Sequence, residues 1–257
     1  MNNSKIILRD NLHLHKAHDF CATDEPALTV IFIHGIAADA TSFGPALKYL
    51  ESLKKLEGVR FVAFDLLGSG HSIKADDELD YGLEEQLVAL DKSIEMLNIK
   101  TPVVLVGHSM GTIIATRYAD THRRTVDELV LISPPLYRPE DFENPMFAKA
   151  IEGFREVVGR TNGGLLEDKA FNNELKQIVS NPHNYRVLAG LNKPITIIYG
   201  ELDQIIAPFN IPKLLQENPT IVVHKTTGGR HGVGHDKFGK LVEALEIKLS
   251  EIKKEMA

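Results

Sequence analysis

Cysteine is almost missing from this chain: Cys21 stands alone among 257 residues, so an internal disulfide is excluded. None is needed. A single chain of this size buries about 75% of the surface its unfolded form exposes, enough to hold a core without bridges or structural metals. The lack of a cysteine framework fits a reducing compartment. Positive charge is also in deficit. Lys and Arg number 29 against 35 Asp and Glu, a formal net charge of -6, which excludes the Lys/Arg-rich surface that phosphate-backbone affinity requires. No nucleic-acid partner is expected. Long hydrophobic runs are absent too. The opening "MNNSKIILRDNLHLHK" has no apolar core of signal-peptide length, and no run approaches a membrane span. The expectation is a cytoplasmic protein without a membrane partner. There is no internal repeat or low-complexity segment, and no pattern that indicates an oligomeric state.

The residues present, 43% hydrophobic and 25% charged, describe an ordinary globular chain. Short β-branched runs alternate with longer segments of helical period. The strand candidates are "LTVIFIHG" (28–35), "VRFVAFD" (59–65), "PVVLVGHS" (102–109), "ELVLISPP" (128–135), "PITIIYGELD" (194–203) and "TIVVHKT" (220–226). Between the second and third, Leu83, Leu87, Leu90, Ile94 and Leu97 draw one apolar helical stripe. Phe238, Leu241, Leu245, Leu249 and Ile252 draw another in a closing amphipathic helix. Residues 5–18 are expected to form a leading antiparallel hairpin with "RDN" at its turn. The pattern predicts an α/β fold, a mostly parallel sheet flanked by helices.

One interval interrupts the alternation. From Pro134 to about Gly190 no strand pattern occurs, and helical segments around "NPMFAKAIEGFREVVG" and "EDKAFNNELKQIVS" are separated by "RTNGG". An insertion this long reads as a small helical cap rather than a loop. The expected organisation is a core of residues 1–133 and 191–257, with the cap at 134–190. A cap would cover a pocket with Leu136, Met146, Phe147 and Phe154, suited to an apolar group. Arg138, Arg155 and Arg160 in the same interval read as solvated side chains.

Chemistry enters at "VVLVGHSMG" (103–111). Gly107, Ser109 and Gly111 form G-x-S-x-G after an apolar strand and before the helical "TIIATRYAD", so Ser109 falls on a sharp strand-to-helix turn. A serine hydroxyl is a poor nucleophile until a base removes its proton, so a histidine and an orienting carboxylate are required downstream. Asp203 follows "ITIIYGEL" at a strand's C-terminal end, where ligands bind in open α/β sheets. Glu201 lies closer to the strand, and Asp141 belongs to the cap. Two late histidines, His231 and His235, stand in "GGRHGVGHDK" (228–237).

These features resemble the α/β-hydrolase fold family, in its serine hydrolase and esterase-like branch with a small helical cap. The matching stretches are "HG" at 34–35, "DLLGSGHS" at 65–72, "GHSMG" at 107–111, "GELD" at 200–203 and a late histidine, in the family's order Ser, Asp, His. The resemblance implies Ser109 as nucleophile, Asp203 as orienting acid, and the backbone N–H groups of Ile36 and Met110 as oxyanion hole. It also implies that His34 is structural, that His108 lines the elbow without taking protons, and that Gly68 and Gly70 turn the chain near the oxyanion loop. Leu67 departs from a frequent family arginine.

The choice of base stays open between two positions. Register against the family favours His231, 28 positions after Asp203, with Asp236 then capping the last helix; the small residues before His235 favour His235. A metal pair is disfavoured because Gly232 and Gly234 interrupt the spacing and the glutamate of helical zinc motifs is missing. The histidines His13, His15 and His18 also cluster, with His13 and His15 read as ordinary half-exposed residues on one face of a strand. No metal or cofactor is expected. The reading is a serine hydrolase acting on a small carboxylic ester-like substrate through an acyl-enzyme. Its rivals are a carbon-carbon bond hydrolase or acyltransferase with the same triad, an aspartate-nucleophile relative disfavoured by Ser109, and a non-catalytic ligand sensor.

Overall fold

A computed structural model describes residues 12–72, 79–122, 125–145, 149, 152–153, 156, 168–203, 205–232 and 240–256. Among these residues seven strands form one sheet: β1 His15–Phe20, β2 Leu28–Ile33, β3 Val59–Asp65, β4 Val103–His108, β5 Glu128–Ile132, β6 Ile195–Gly200 and β7 Val222–Thr226. Their spatial order is β1-β3-β2-β4-β5-β6-β7. Every pairing is parallel except β1 with β3. Among helices, α1 Gly44–Glu51, α2 Leu83–Met96, α3 Met110–Thr121, α4 Asp168–Asn173, α5 Asn184–Gly190, α6 Ile211–Glu217 and α7 Lys240–Met256 follow in chain order. No helix among the described residues is long and apolar enough to cross a membrane.

The sheet is buried on both faces because its central strands are apolar at both parities. In β2, Ile31 and Ile33 join the core beneath α2 and α3, whereas Val30 and Phe32 join the core beneath α1 and α7. The stripe of α2 enters the first core through Leu90 and Ile94, with Leu83, Leu87 and Leu97 packed against it. Leu241, Leu245, Leu249 and Ile252 of α7 fill the second. Phe238, expected to begin that stripe, lies outside the described residues.

The first strand of the leading hairpin expected over 5–18 and its "RDN" turn lie outside the described residues, which begin at Leu12. What is described is β1, which runs on to Phe20 and pairs antiparallel with β3, at the edge of the sheet among the described residues. His15 is more than a half-exposed strand residue, since its Nδ1–H donates to Asp65 Oδ2 at 2.9 Å. Predicted strands also overrun their C-terminal ends: "HG", "SPP" and "ELD" belong to the loops after β2, β5 and β6. Alternation and β-propensity carry no stop signal there, because the residues that end these strands serve the loops.

Between β5 and β6 the described chain has no strand. Asp168–Asn173 continues directly into a π-helix, Glu174–Val179, which packs on α2 and α3, and α5 packs on α3. Glu174 is buried, which pushes its carboxyl well above the usual range. Its Oε1 accepts from Gln86 Nε2 at 3.2 Å, while the Gln86 amide grips the main chain of Leu67 at both N and O. A buried side chain thus ties this segment to the loop after β3. Most of "NPMFAKAIEGFREVVG", with Met146, Phe147, Phe154, Arg155 and Arg160, lies outside the described residues. Leu136 is fully buried, and Arg138 pairs with Glu140 and lies over the Tyr185 ring.

Candidate active site

The C-terminal ends of β4 and β6 and the loop after β7 bring three side chains together. Ser109, between β4 and α3, has φ 50° and ψ −120°, a conformation that costs about 1–3 kcal/mol for a residue with a Cβ. Its surroundings enforce it. The Ser109 N–H donates to Ile132 O at 2.9 Å, and its carbonyl accepts from Thr112 N and Oγ1 at 3.0 and 2.6 Å. Gly111 lets α3 lie against β2: a Cβ there would stand 2.1 Å from Ile33 O and 2.5 Å from His34 O. Both obstacles are main chain and cannot rotate aside. Gly111→Ala is therefore expected to destabilise the fold by about 3 kcal/mol or more; an unchanged denaturant midpoint would show that the elbow tolerates the separation.

Asp203 follows β6 in a turn closed by its own N–H on Gly200 O at 3.0 Å. Its Oδ1 accepts from Ile205 N at 3.1 Å, and its Oδ2 accepts from His231 Nδ1 at 2.9 Å. The carboxylate is fully enclosed, with no side-chain exposure, beside an imidazole 19% exposed. Tyr137 donates its hydroxyl to the Ile205 carbonyl, so the residue whose N–H binds Asp203 is held at its carbonyl as well. On the far side of the ring, His231 Nε2 stands 2.9 Å from Ser109 Oγ. An ionised carboxylate only accepts, so Nδ1 carries the proton and Nε2 presents its lone pair to the hydroxyl. With both ring nitrogens engaged, neither faces an open ligand position.

The other acids are elsewhere. Glu201 pairs with Lys225 and accepts from Gly228 N, and Asp141 accepts from Arg138 N and Asn210 Nδ2. His235 and Asp236 lie outside the described residues. Met110 is the first residue of α3, where an amide has no acceptor within its own helix. Ile36 lies in the turn after β2, ahead of Ala37 at φ 55°.

His34 and Asp65 build the wall behind that turn. His34 is buried, which holds its imidazole below the ordinary range. Its Nδ1–H donates to Gly35 O at 2.8 Å, and its Nε2 accepts from Leu66 N at 2.9 Å. Asp65 accepts from Ala40 N, His71 N and His15 Nδ1, each at 2.9 Å. Burial works to raise this carboxyl, but the amides of His71 and Ala40, with His15, hold it below its usual range. Gly68 and Gly70, both at positive φ, return the chain over it. Asp65 is not among the expected site residues, although an acid ending a strand before a glycine-rich turn is a readable signal for a loop anchor. His108, expected to line the elbow, also donates Nε2–H to the main-chain carbonyl of His231 at 2.7 Å.

A doubly covered parallel sheet with a serine elbow after β4, an acid after β6 and a histidine after β7 is an α/β-hydrolase arrangement, and the chain belongs to that family: the alpha/beta hydrolase fold model matches residues 29–182. That match includes Ser109 and ends before Asp203 and His231. Among curated relatives, the chain is 38% identical over 157 residues to "Probable lysophospholipase BODYGUARD 2" of Arabidopsis thaliana, covering 53% of this chain and 32% of that protein. It is 24% identical over 214 residues to "Lipase 3" of Moraxella sp., covering 72% of this chain and 65% of that one. The chain thus spans about a third of the length of the plant relative. Among solved structures it is similar to the monoacylglycerol lipase of Paleococcus ferrophilus, with TM-score 0.65 and 20% identity over 95% of this chain and 100% of that one. An esterase from Exiguobacterium antarcticum gives TM-score 0.71 and 18% identity over 94% and 95%. At these identities the two structures testify to the fold.

Proposed function

We propose that the protein is a serine hydrolase of small carboxylic esters that works through an acyl-enzyme on Ser109. The observation that carries the reading is the single imidazole of His231 spanning Ser109 Oγ and Asp203 Oδ2 at 2.9 Å on each side. In this scheme His231 Nε2 takes the Ser109 proton as Oγ attacks the ester carbonyl. The oxyanion that forms is held by the amides of Ile36 and Met110, each worth about 3–4 kcal/mol when prealigned. The imidazolium, steadied by Asp203, passes its proton to the departing alkoxide and leaves Ser109 acylated. Water then gives a proton to His231 and its hydroxyl to the acyl carbon; as the acyl–Oγ bond breaks, the imidazolium returns that proton to Oγ, which releases the acid and restores Ser109 and the neutral imidazole.

The names of the relatives extend the candidate substrates to acyl esters of glycerol lipids, so the test uses short-chain aryl esters beside a monoacylglycerol and a lysophospholipid. Turnover of at least one, with a fluorophosphonate adduct mapped to Ser109 by mass spectrometry, is expected. An unlabelled Ser109 in a chain that binds esters without turnover would replace the hydrolase with a sensor. We also propose a reducing, cytoplasmic setting, in keeping with a chain whose one thiol, Cys21, is free.

A further inference from the structure

His108 is a half-buried titratable group, in contact with the base, that the scheme above leaves without a task. It sits at the end of β4, next to Ser109 in the chain and 123 residues from His231. Its Nε2 lies 2.7 Å from the His231 carbonyl oxygen, and the two rings stand 5.2 Å apart at 47°. A carbonyl can only accept, so Nε2 carries the proton. We propose that His108 is a positioning residue, whose hydrogen bond to the His231 main chain sets the reach of the His231 imidazole to Ser109. The inference rests on reading Ser109 as nucleophile and His231 as base.

Three observations support it. First, main-chain bonds steady the loop after β7 at Gly229, through Gly229 N to Thr226 O and Leu202 N to Gly229 O, and at His231 the carbonyl is held by His108. Second, His108 and Ser109 are consecutive at the end of one strand, so this bond refers the base directly to the segment that carries the nucleophile. A displacement of about 1 Å at such a contact is enough for a loss of about 100-fold. Third, the donor is neutral. Burial first, and then the neighbouring His231, push His108 down to about 3. A cation in its place would oppose the imidazolium that His231 must become. The residue best suited here is therefore an uncharged N–H donor of imidazole length.

The test compares H108L, which removes the donor, with H108Q, whose side-chain amide keeps an uncharged donor at similar reach. Aryl-ester kcat and KM are measured per site titratable by fluorophosphonate, so a smaller folded fraction does not register as a slower enzyme. H108L is expected to lose about 10- to 100-fold in kcat per titrated site with KM within about twofold, and H108Q to recover to within about threefold of wild type. The rate of phosphonylation should fall in parallel. If H108L does not fold, H108N, with an amide too short to reach the carbonyl, is expected to show the same loss. Wild-type kcat per site in H108L, or no recovery in H108Q, would overturn the inference and leave the ester reading standing. A wild-type protein that neither turns over esters nor titrates would overturn that reading, and the role of His108 with it.

Discussion

Ser109→Ala and His231→Ala are each expected to lower kcat for ester hydrolysis by about 10,000-fold or more, and the double variant by no more than either alone. Without the imidazole, Oγ keeps its proton and attacks as a neutral hydroxyl; without Oγ, the imidazole has nothing to deprotonate. The two groups form a single device, joined by the 2.9 Å contact between Nε2 and Oγ, so their losses do not add. Thermal unfolding midpoints should move little, since neither change opens a cavity in the apolar cores. His235→Ala is expected only to weaken turnover. Steady-state kinetics on the four proteins decide the matter. Multiplying losses in the double variant would mean independent roles, and an inactive His235→Ala beside an active His231→Ala would move the base four residues along.

Asp203→Asn should cost about 10,000-fold in kcat while leaving the fold intact. The side chain has two fixed neighbours: Oδ1 accepts from the Ile205 N–H and Oδ2 from the His231 Nδ1–H. An asparagine keeps its carbonyl oxygen on the Ile205 amide, which turns its NH2 toward His231. Two donors cannot face each other, so the imidazole must move its proton from Nδ1 to Nε2. The ring then offers Ser109 a proton instead of a lone pair. Since the tautomer, not the geometry, is wrong, substrate should still bind, and KM should stay within a few fold of wild type. A neutron or high-resolution NMR assignment of the His231 protons would show the switch directly. Retention of wild-type kcat would remove Asp203 from the proton path.

The layers and the elbow were legible in the sequence for different reasons. Buried parallel strands need apolar residues at both parities, so "LTVIFI", "VRFVAFD" and "VVLVGH" declare themselves without neighbours. The G-x-S-x-G turn is equally local as a pattern, since its two glycines flank Ser109 directly, although Ile132 and β2 hold the turn from afar. The histidine was harder. "GGRHGVGHDK" offers two imidazoles with comparable local surroundings, and what brings His231 to Ser109 is the path of the chain after β7, which no local pattern encodes. The pairing of β1 with β3 shows the same limit from the other side: His15 meets Asp65 and Phe20 meets Phe61, and no local pattern joins segments so far apart in the chain. His108 stayed silent because it acts on the main chain of a distant loop, and any sequence supplies a carbonyl there.

At the end of β6, Gly200 lies against Gly229 so closely that a Cβ on Gly200 would stand 2.3 Å from the Gly229 carbonyl carbon. The loops bearing Asp203 and His231 therefore meet backbone to backbone, with no side chain as spacer. Their registration is indifferent to the identity of most residues along them, provided these two positions stay bare. Apart from Asp203 and His231 themselves, side chains on the two loops can be exchanged to vary the surroundings of Ser109 while the backbone contact keeps the proton path in register, which makes them the natural place to begin altering substrate preference.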